Sequence, residues 1–242
     1  MTAAPEITFA GQAAIDGAAL FAPLSLSLRP GQWTCLLGGS GVGKSTILRL
    51  IAELDTGAAF SGEISASDGK PVQDRVAYMA QEDLLLPWAT VAQNVTLGAR
   101  LRGEKQDGAR LAALLGRVRL TDHISKKPAE LSGGQRQRVA LARTLMEDKD
   151  VILLDEPFSA LDAQTRADMQ DLAAELLQGK TVLLVTHDPA EAARLGHAIE
   201  VMSPLGLTAC ATPSAPAPRS VDDRETLETQ GALLKLLREQ SV

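Results

Sequence analysis

Gly38-Gly39-Ser40-Gly41-Val42-Gly43-Lys44-Ser45, with Thr46 next, lies between a short apolar run, residues 33–37, and a pattern over residues 44–54 that reads as a helix. Gly38 and Gly43, followed at once by Lys and Ser, fit the phosphate-loop pattern. Glycine lets the backbone curl until its N–H groups point at phosphate oxygens. Lys44 adds a point charge for the outer phosphates and Ser45 a hydroxyl for Mg²⁺. The helix that follows aims its positive end at a nucleotide. A plain glycine turn ahead of a helix would need neither the lysine nor the serine.

Outward from this loop, short apolar runs alternate with helical patterns. Residues 76–79, 151–154 and 181–185 read as buried strands, and residues 163–178 as a helix between the last two. Such alternation predicts crossover units and a parallel sheet. Leu24-Ser25-Leu26-Ser27-Leu28 alternates instead with period two, as a half-buried antiparallel strand does. Residues 91–146 carry little strand signal and read as a mostly helical insertion. After Met202 the composition shifts: Pro213, Pro216 and Pro218 predict a stiff linker. Residues 222–238 predict a final helix, acidic at its start and basic at its end, as the helix dipole favours. Leu227, Leu234 and Leu237 are expected on its buried face.

Two further stretches carry chemistry. Val151-Ile152-Leu153-Leu154-Asp155-Glu156 is an apolar run ending in two carboxylates. An acid at the end of a strand in a nucleotide-binding sheet holds Mg²⁺, and the next acid is placed to orient or deprotonate water. Leu131-Ser132-Gly133-Gly134-Gln135 has two readings. Ser132 and Gln135 have the spacing of a capping box that starts the helix over 135–146. Two successive glycines early in a helix, each costing up to about 1 kcal/mol relative to alanine, also suggest that something approaches the backbone closely, as a phosphate does.

Together these residues resemble the ATP-binding cassette (ABC) ATPases. Gly38 to Thr46, Gln81, Leu131 to Gln135, Val151 to Glu156, Ser159-Ala160-Leu161-Asp162 and His187 occur in the order of that family's Walker A, Q-loop, signature, Walker B, D-loop and switch-histidine motifs. The resemblance spans about residues 5–202. It implies an α/β P-loop NTPase fold: a RecA-like core, an antiparallel β-subdomain and a helical subdomain inserted at about 86–139. Residues 1–202 would form the nucleotide-binding domain, and 203–242 the proline-containing linker and C-terminal helix.

The implied cofactors are ATP and Mg²⁺. The implied partner is a second copy, head to tail, with each ATP held between the Walker A loop of one subunit and the signature of the other. Gly38, Gly39, Ser40, Gly41, Val42, Gly43, Lys44, Ser45 and Thr46 would hold the phosphates. Ser45, Gln81 and Asp155 would hold or sense Mg²⁺. Glu156 would be the catalytic base, with His187 at the γ-phosphate and Gln81 at the attacking water. Ser132, Gly133, Gly134 and Gln135 would reach the partner's ATP, and Asp162 would bridge the dimer. One departure stands out. The family usually stacks adenine on an aromatic residue some two dozen positions before the loop. Here that neighbourhood reads Ala14-Ile15-Asp16-Gly17, and the nearest aromatics, Phe9 and Phe21, read as core.

Within the family, Glu82-Asp83-Leu84-Leu85-Leu86-Pro87-Trp88-Ala89-Thr90-Val91 resembles importers of nitrate, sulfonates, taurine and the hydroxymethylpyrimidine precursor of thiamine. Residues 33–37, 66–69 and 77–81 look most like the last of these. The resemblance implies a membrane permease, with Leu85, Leu86, Pro87 and Trp88 as its expected dock, and indirectly a periplasmic or extracellular binding protein. Two alternatives stay open for this stretch: a proline-started helix facing the core, and Trp88 packed between subdomains. The alternative functions are a soluble ABC ATPase of DNA repair or translation, and an exporter subunit.

Composition bounds these readings. The 242 residues are 45% hydrophobic, ample for a core, and carry a formal charge of −6. That balance argues against nucleic acid as a main partner. Cys35 and Cys210 cannot make a disulfide framework. No apolar run approaches a membrane span, and the N-terminus lacks a signal-peptide pattern. The expectation is a soluble intracellular chain, held at the cytoplasmic face of the inner membrane through its permease.

Overall fold

The computed structural model describes residues 4–240. In chain order the elements are β1 (Ile7–Ile15), β2 (Ala18–Leu28), β3 (Trp33–Gly38), α1 (Lys44–Ile51), β4 (Ala59–Ala66), β5 (Val76–Met79), α2 (Val91–Val95), α3 (Leu97–Leu101), α4 (Gly108–Arg117), α5 (Gly133–Met146), β6 (Val151–Asp155), α6 (Ala163–Leu176), β7 (Thr181–Thr186), α7 (Pro189–Leu195), β8 (Ala198–Ser203), β9 (Gly206–Cys210) and α8 (Arg224–Gln240). They divide into two compact units. One takes the chain up to Val76, Asp150–Glu156 and the chain from Gln178 on; the other takes Ala77–Lys149 and Pro157–Leu177.

The first unit holds two sheets. In one, β1 lies antiparallel between β2 and β4, with Phe9 opposite Leu26 on one side and Ile64 on the other. Leu24, Leu26 and Leu28 are buried while Ser25 and Ser27 are exposed, as the period-two alternation predicts. In the other sheet β6, β7, β3 and β8 run parallel in that order, and β9 closes the edge antiparallel to β8. Every residue of β3, β6 and β7 is buried, so these strands read as continuous apolar runs rather than alternating ones. Helix α1 packs on this sheet. It stops at Ile51, short of the expected Leu54, because Glu53 turns into the left-handed region at φ 52°.

The segment beyond Met202 contains β9 as well as the expected proline stretch and final helix. Arg219, 5% exposed, binds that stretch to α7. Its guanidinium donates to the carbonyls of Ala193, Gly196, Pro213 and Ala215, and Arg194 in return donates to the Arg219 carbonyl. Helix α8 packs on α7, but through a face other than the one expected. Thr226 and Leu233 are buried, whereas Leu227 and Leu234 are 49% and 43% exposed. The leucine count along the helix misleads because Thr226, with both its N–H and its hydroxyl bonded to Asp223, starts the inward stripe.

The second unit is mostly helical. Helix α5 is its centre and touches α2, α3, α4 and α6; Val139, Ala140 and Ala142 are fully buried. Ser132 caps α5: its Oγ accepts the Gln135 N–H at 3.2 Å and the Gln135 Oε1 accepts the Ser132 N–H at 2.9 Å. That is the capping box expected from the spacing. Among the described residues no helix is long and apolar enough to cross a membrane.

Candidate functional site

In the first unit the phosphate loop joins β3 to α1. Gly43 has φ 100°, and a Cβ there would lie 2.7 Å from the Phe21 ring. Both facts exclude any other residue without strain. Lys44 is 5% exposed. Its ammonium donates to the Gly38 and Gly39 carbonyls at 2.9 and 2.7 Å, curling the loop around itself. Burial pushes the Lys44 pKa below its ordinary value, opposed by the charges of Glu156 and Asp155.

Ser45, on the first turn of α1, donates from Oγ to Asp155 Oδ1 at 2.7 Å. Asp155 is buried at the end of β6. Glu156 follows with φ 45°, in the left-handed region, its N–H donating to the Val185 carbonyl at 2.9 Å. Such backbone strain in a non-glycine residue is held only where the surroundings over-determine it. Glu156 Oε2 lies 2.8 Å from His187 Nδ1. A carboxylate only accepts, so Nδ1 carries the proton and the ring is turned by the acid. His187 is carried from β7 into α7 by Asp188, which caps the Ala190 N–H, and by Thr186, which donates to buried Glu191 at 2.7 Å. One unit therefore brings together Lys44, Ser45, Asp155, Glu156 and His187.

These residues fit ATP with Mg²⁺. A Cβ on Gly39 or Gly41 would meet nothing within 4 Å, so the outer side of the loop is open. The paired hydroxyl and carboxylate are hard oxygen donors of the kind Mg²⁺ takes alongside phosphate oxygens. Among the described residues no cluster of three His, Cys, Asp or Glu could hold a metal by itself.

The second unit carries the other predicted residues. Gln81 and Gly133 both line a cavity of about 460 Å³, with Arg136 and Ser159. Gly134 is close-packed: a Cβ there would lie 2.6 Å from the Thr165 methyl of α6. The Gly133 side is open, its nearest neighbour Arg136 at 3.9 Å. Thus a side chain would find room at the first glycine of the pair but not at the second, where two helices approach. Asp162 caps α6, its Oδ1 accepting the Thr165 N–H at 3.0 Å, and that bond pulls its pKa below the ordinary carboxylate value.

The Leu85-Leu86-Pro87-Trp88 stretch is a turn ahead of α2. The helix starts at Val91 under a Thr90–Gln93 capping box, so Pro87 does not begin it. Trp88 is 71% exposed, which excludes a core role. Asn94, fully buried, accepts the Leu86 N–H and donates to the carbonyls of Leu86, Ala89 and Thr90. From α5, Arg143 holds the Asp83 and Leu84 carbonyls and Arg136 the Asp83 carboxylate. Asn94 was invisible in the sequence, since a lone asparagine in Val-Ala-Gln-Asn-Val reads as helix surface.

A phosphate loop between a buried parallel strand and a helix, with an acid-ended strand in the same sheet, defines a P-loop NTPase. Comparison with known proteins narrows this. The family model for ABC transporters matches residues 21–159. A Haemophilus influenzae protein described as an uncharacterized ABC transporter ATP-binding protein is 46% identical over 231 residues, covering 93% of this chain and 95% of its own. The aliphatic sulfonates import ATP-binding protein SsuB 2 of Agrobacterium fabrum is 48% identical over 192 residues, 77% of this chain and 71% of its own. SsuB of Escherichia coli O1:K1 is 42% identical over 214 residues, 88% and 82% respectively. The chain belongs to the ABC transporter ATP-binding family. It is an ATPase that uses ATP with Mg²⁺.

Proposed function

We propose that the chain is the ATP-hydrolysing subunit of a membrane importer for a small nutrient, working as a head-to-tail pair. The observation that carries the reading is the cluster of Lys44, Ser45, Asp155, Glu156 and His187 in one unit. Lys44 gives up its loop carbonyls for the β- and γ-phosphates, and the loop N–H groups from Gly38 to Thr46 cradle the chain of phosphates. Ser45 and Asp155 would hold Mg²⁺ and Gln81 would sense it; when bound, the ion would supply charge neutralisation at the phosphates. Glu156 takes the proton of the attacking water, and His187, oriented by Glu156, meets the γ-phosphate. Ser132, Gly133, Gly134 and Gln135 of the second copy complete the site, and Asp162 steadies the pair beside its capping role. Residues 1–202 do this work, with 86–139 as the helical subdomain and 203–242 as an appended tail.

The permease docks on the turn over Leu85, Leu86, Pro87 and Trp88, which fixes the protein at the cytoplasmic face of the membrane. The support is an exposed tryptophan on a turn held by Asn94, Arg136 and Arg143. A rigid aromatic anchor of this kind is enriched at interface hot spots. The cargo belongs to the nitrate, sulfonate, taurine or thiamine-precursor class. Two relatives are named for aliphatic sulfonates, whereas the narrower likeness to thiamine-precursor ATPases over residues 33–37, 66–69 and 77–81 has no counterpart in those names. Ligand binding by the partner binding protein decides between them. Trp88→Ala tests the dock: folding and basal ATPase stay near the parent level, while permease affinity falls by about 2 kcal/mol or more. Normal permease binding by this variant removes the dock from Trp88.

A further inference from the structure

The Gln135 side chain is engaged at both ends. Its Oε1 accepts the Ser132 N–H at 2.9 Å, which fixes the amide with oxygen toward Ser132 and NH₂ away from it. The NH₂ then meets His123 Nε2 at 3.0 Å. An amide NH₂ only donates, so Nε2 accepts and the ring proton sits on Nδ1. Nδ1 is enclosed and, among the described residues, has no hydrogen-bond partner. An enclosed N–H left without an acceptor is a net cost to folding. The ring is therefore poorly explained by packing alone, which a phenylalanine would serve without that cost. What the histidine adds is one acceptor, aimed at the only free end of the amide that orients Ser132.

We infer that His123 is a positioning residue for the α5 N-terminus: it holds the Gln135 amide, and through it Ser132, in the orientation presented to the second copy's ATP. His123 touches no substrate in this account. It acts from the turn Thr121–His123, twelve positions before Gln135 in sequence and outside the signature stretch itself. The inference rests on the proposed role of that stretch in completing the partner's site.

The test uses the full chain carrying Glu156→Gln, so that ATP is bound and not consumed. Three quantities are read for each variant: ATP affinity of the single chain, thermal midpoint, and the chain concentration at which ATP drives pairing. His123→Phe keeps the ring volume and removes the acceptor. It should leave ATP affinity unchanged, hold or raise the thermal midpoint, and weaken ATP-driven pairing about 3- to 10-fold, the scale of one net hydrogen bond. His123→Gln, whose Oε1 can replace Nε2 as acceptor, should restore pairing. Pairing by His123→Phe at the parent level overturns the inference, as does an equal loss in His123→Gln. If His123→Phe does not fold, His123→Leu is measured alone and combined with Gln135→Met, and additive losses overturn the inference because coupled partners give non-additive ones. Ser132→Ala separates the two levels. If it leaves pairing unchanged, the signature reading itself fails. If it weakens pairing while His123→Phe does not, only the role of His123 fails.

Discussion

The two units handle their functional polar groups in opposite ways. In the first, the working side chains lean on one another: Ser45–Asp155 and Glu156–His187 are in direct contact, with Lys44 and Asp155 only 5% and 3% exposed, Ser45 and Glu156 half-buried and His187 exposed. In the second, Ser132, Gly133, Gln81 and Asp162 lie at the surface, and Ser132 and Asp162 bond as helix caps. Buried charges near one another lower the reorganisation needed when a phosphate arrives. Surface groups on a capped helix end can present N–H groups to something outside the chain. The contrast fits a protein whose first unit does chemistry and whose second offers its half of the site to another copy.

The sharpest way to break this contrast is to disturb the first unit. Glu156→Gln keeps the shape and removes the base, so turnover should fall about 10²- to 10⁴-fold while ATP binding survives. Steady-state hydrolysis at parent rates would remove Glu156 from the chemistry. Next in size is Arg219→Ala. It strips charge-assisted donors from two carbonyls at the end of α7, Ala193 and Gly196, and two on the tail, Pro213 and Ala215, each such bond worth about 1.5–3 kcal/mol and the set not additive. Denaturant melts should show a loss of about 3 kcal/mol, and an unchanged midpoint would mean the tail is a loose appendage. Lys44→Ala should weaken ATP binding by about 1.5–3 kcal/mol, the worth of one charge-assisted bond, measured by calorimetry. The smallest effect concerns the base. Phe9 and Phe21 are 1% and 2% exposed, so neither offers a face to adenine. Base–aromatic stacking is worth about 1–3 kcal/mol. Without it, ATP and GTP affinities should agree within about 1 kcal/mol, and strong adenine selectivity would point to another platform.

The first unit was the more legible one. Its central strands β3, β6 and β7 announce themselves as apolar runs, and its loop needs glycine, lysine and serine in one order, so periodicity and motif agree; the partly exposed strands β1, β4, β8 and β9 carry no such run and went unread. The capping box at Ser132 was equally readable, because it depends on spacing within four residues. What escaped reading depends on contacts distant in sequence. Arg219 finds its carbonyls on α7, more than twenty positions back. Asn94 looks like any helix residue until the turn before it folds back. His123 gains meaning only when Gln135 is turned by Ser132. The inward face of α8 was misread because the stripe begins with a threonine, and hydrophobic counting favours leucines wherever they stand.

The central claim is that the second unit completes a site in another copy. The direct measurement is the solution mass of Glu156→Gln with and without ATP, set beside Glu156→Gln/Ser132→Arg, in which a bulky charged side chain blocks the α5 N-terminus. The account predicts that ATP doubles the mass of the first variant, and that the second binds ATP but stays single. A first variant that stays single with ATP bound, or a second that pairs as readily as the first, would contradict it.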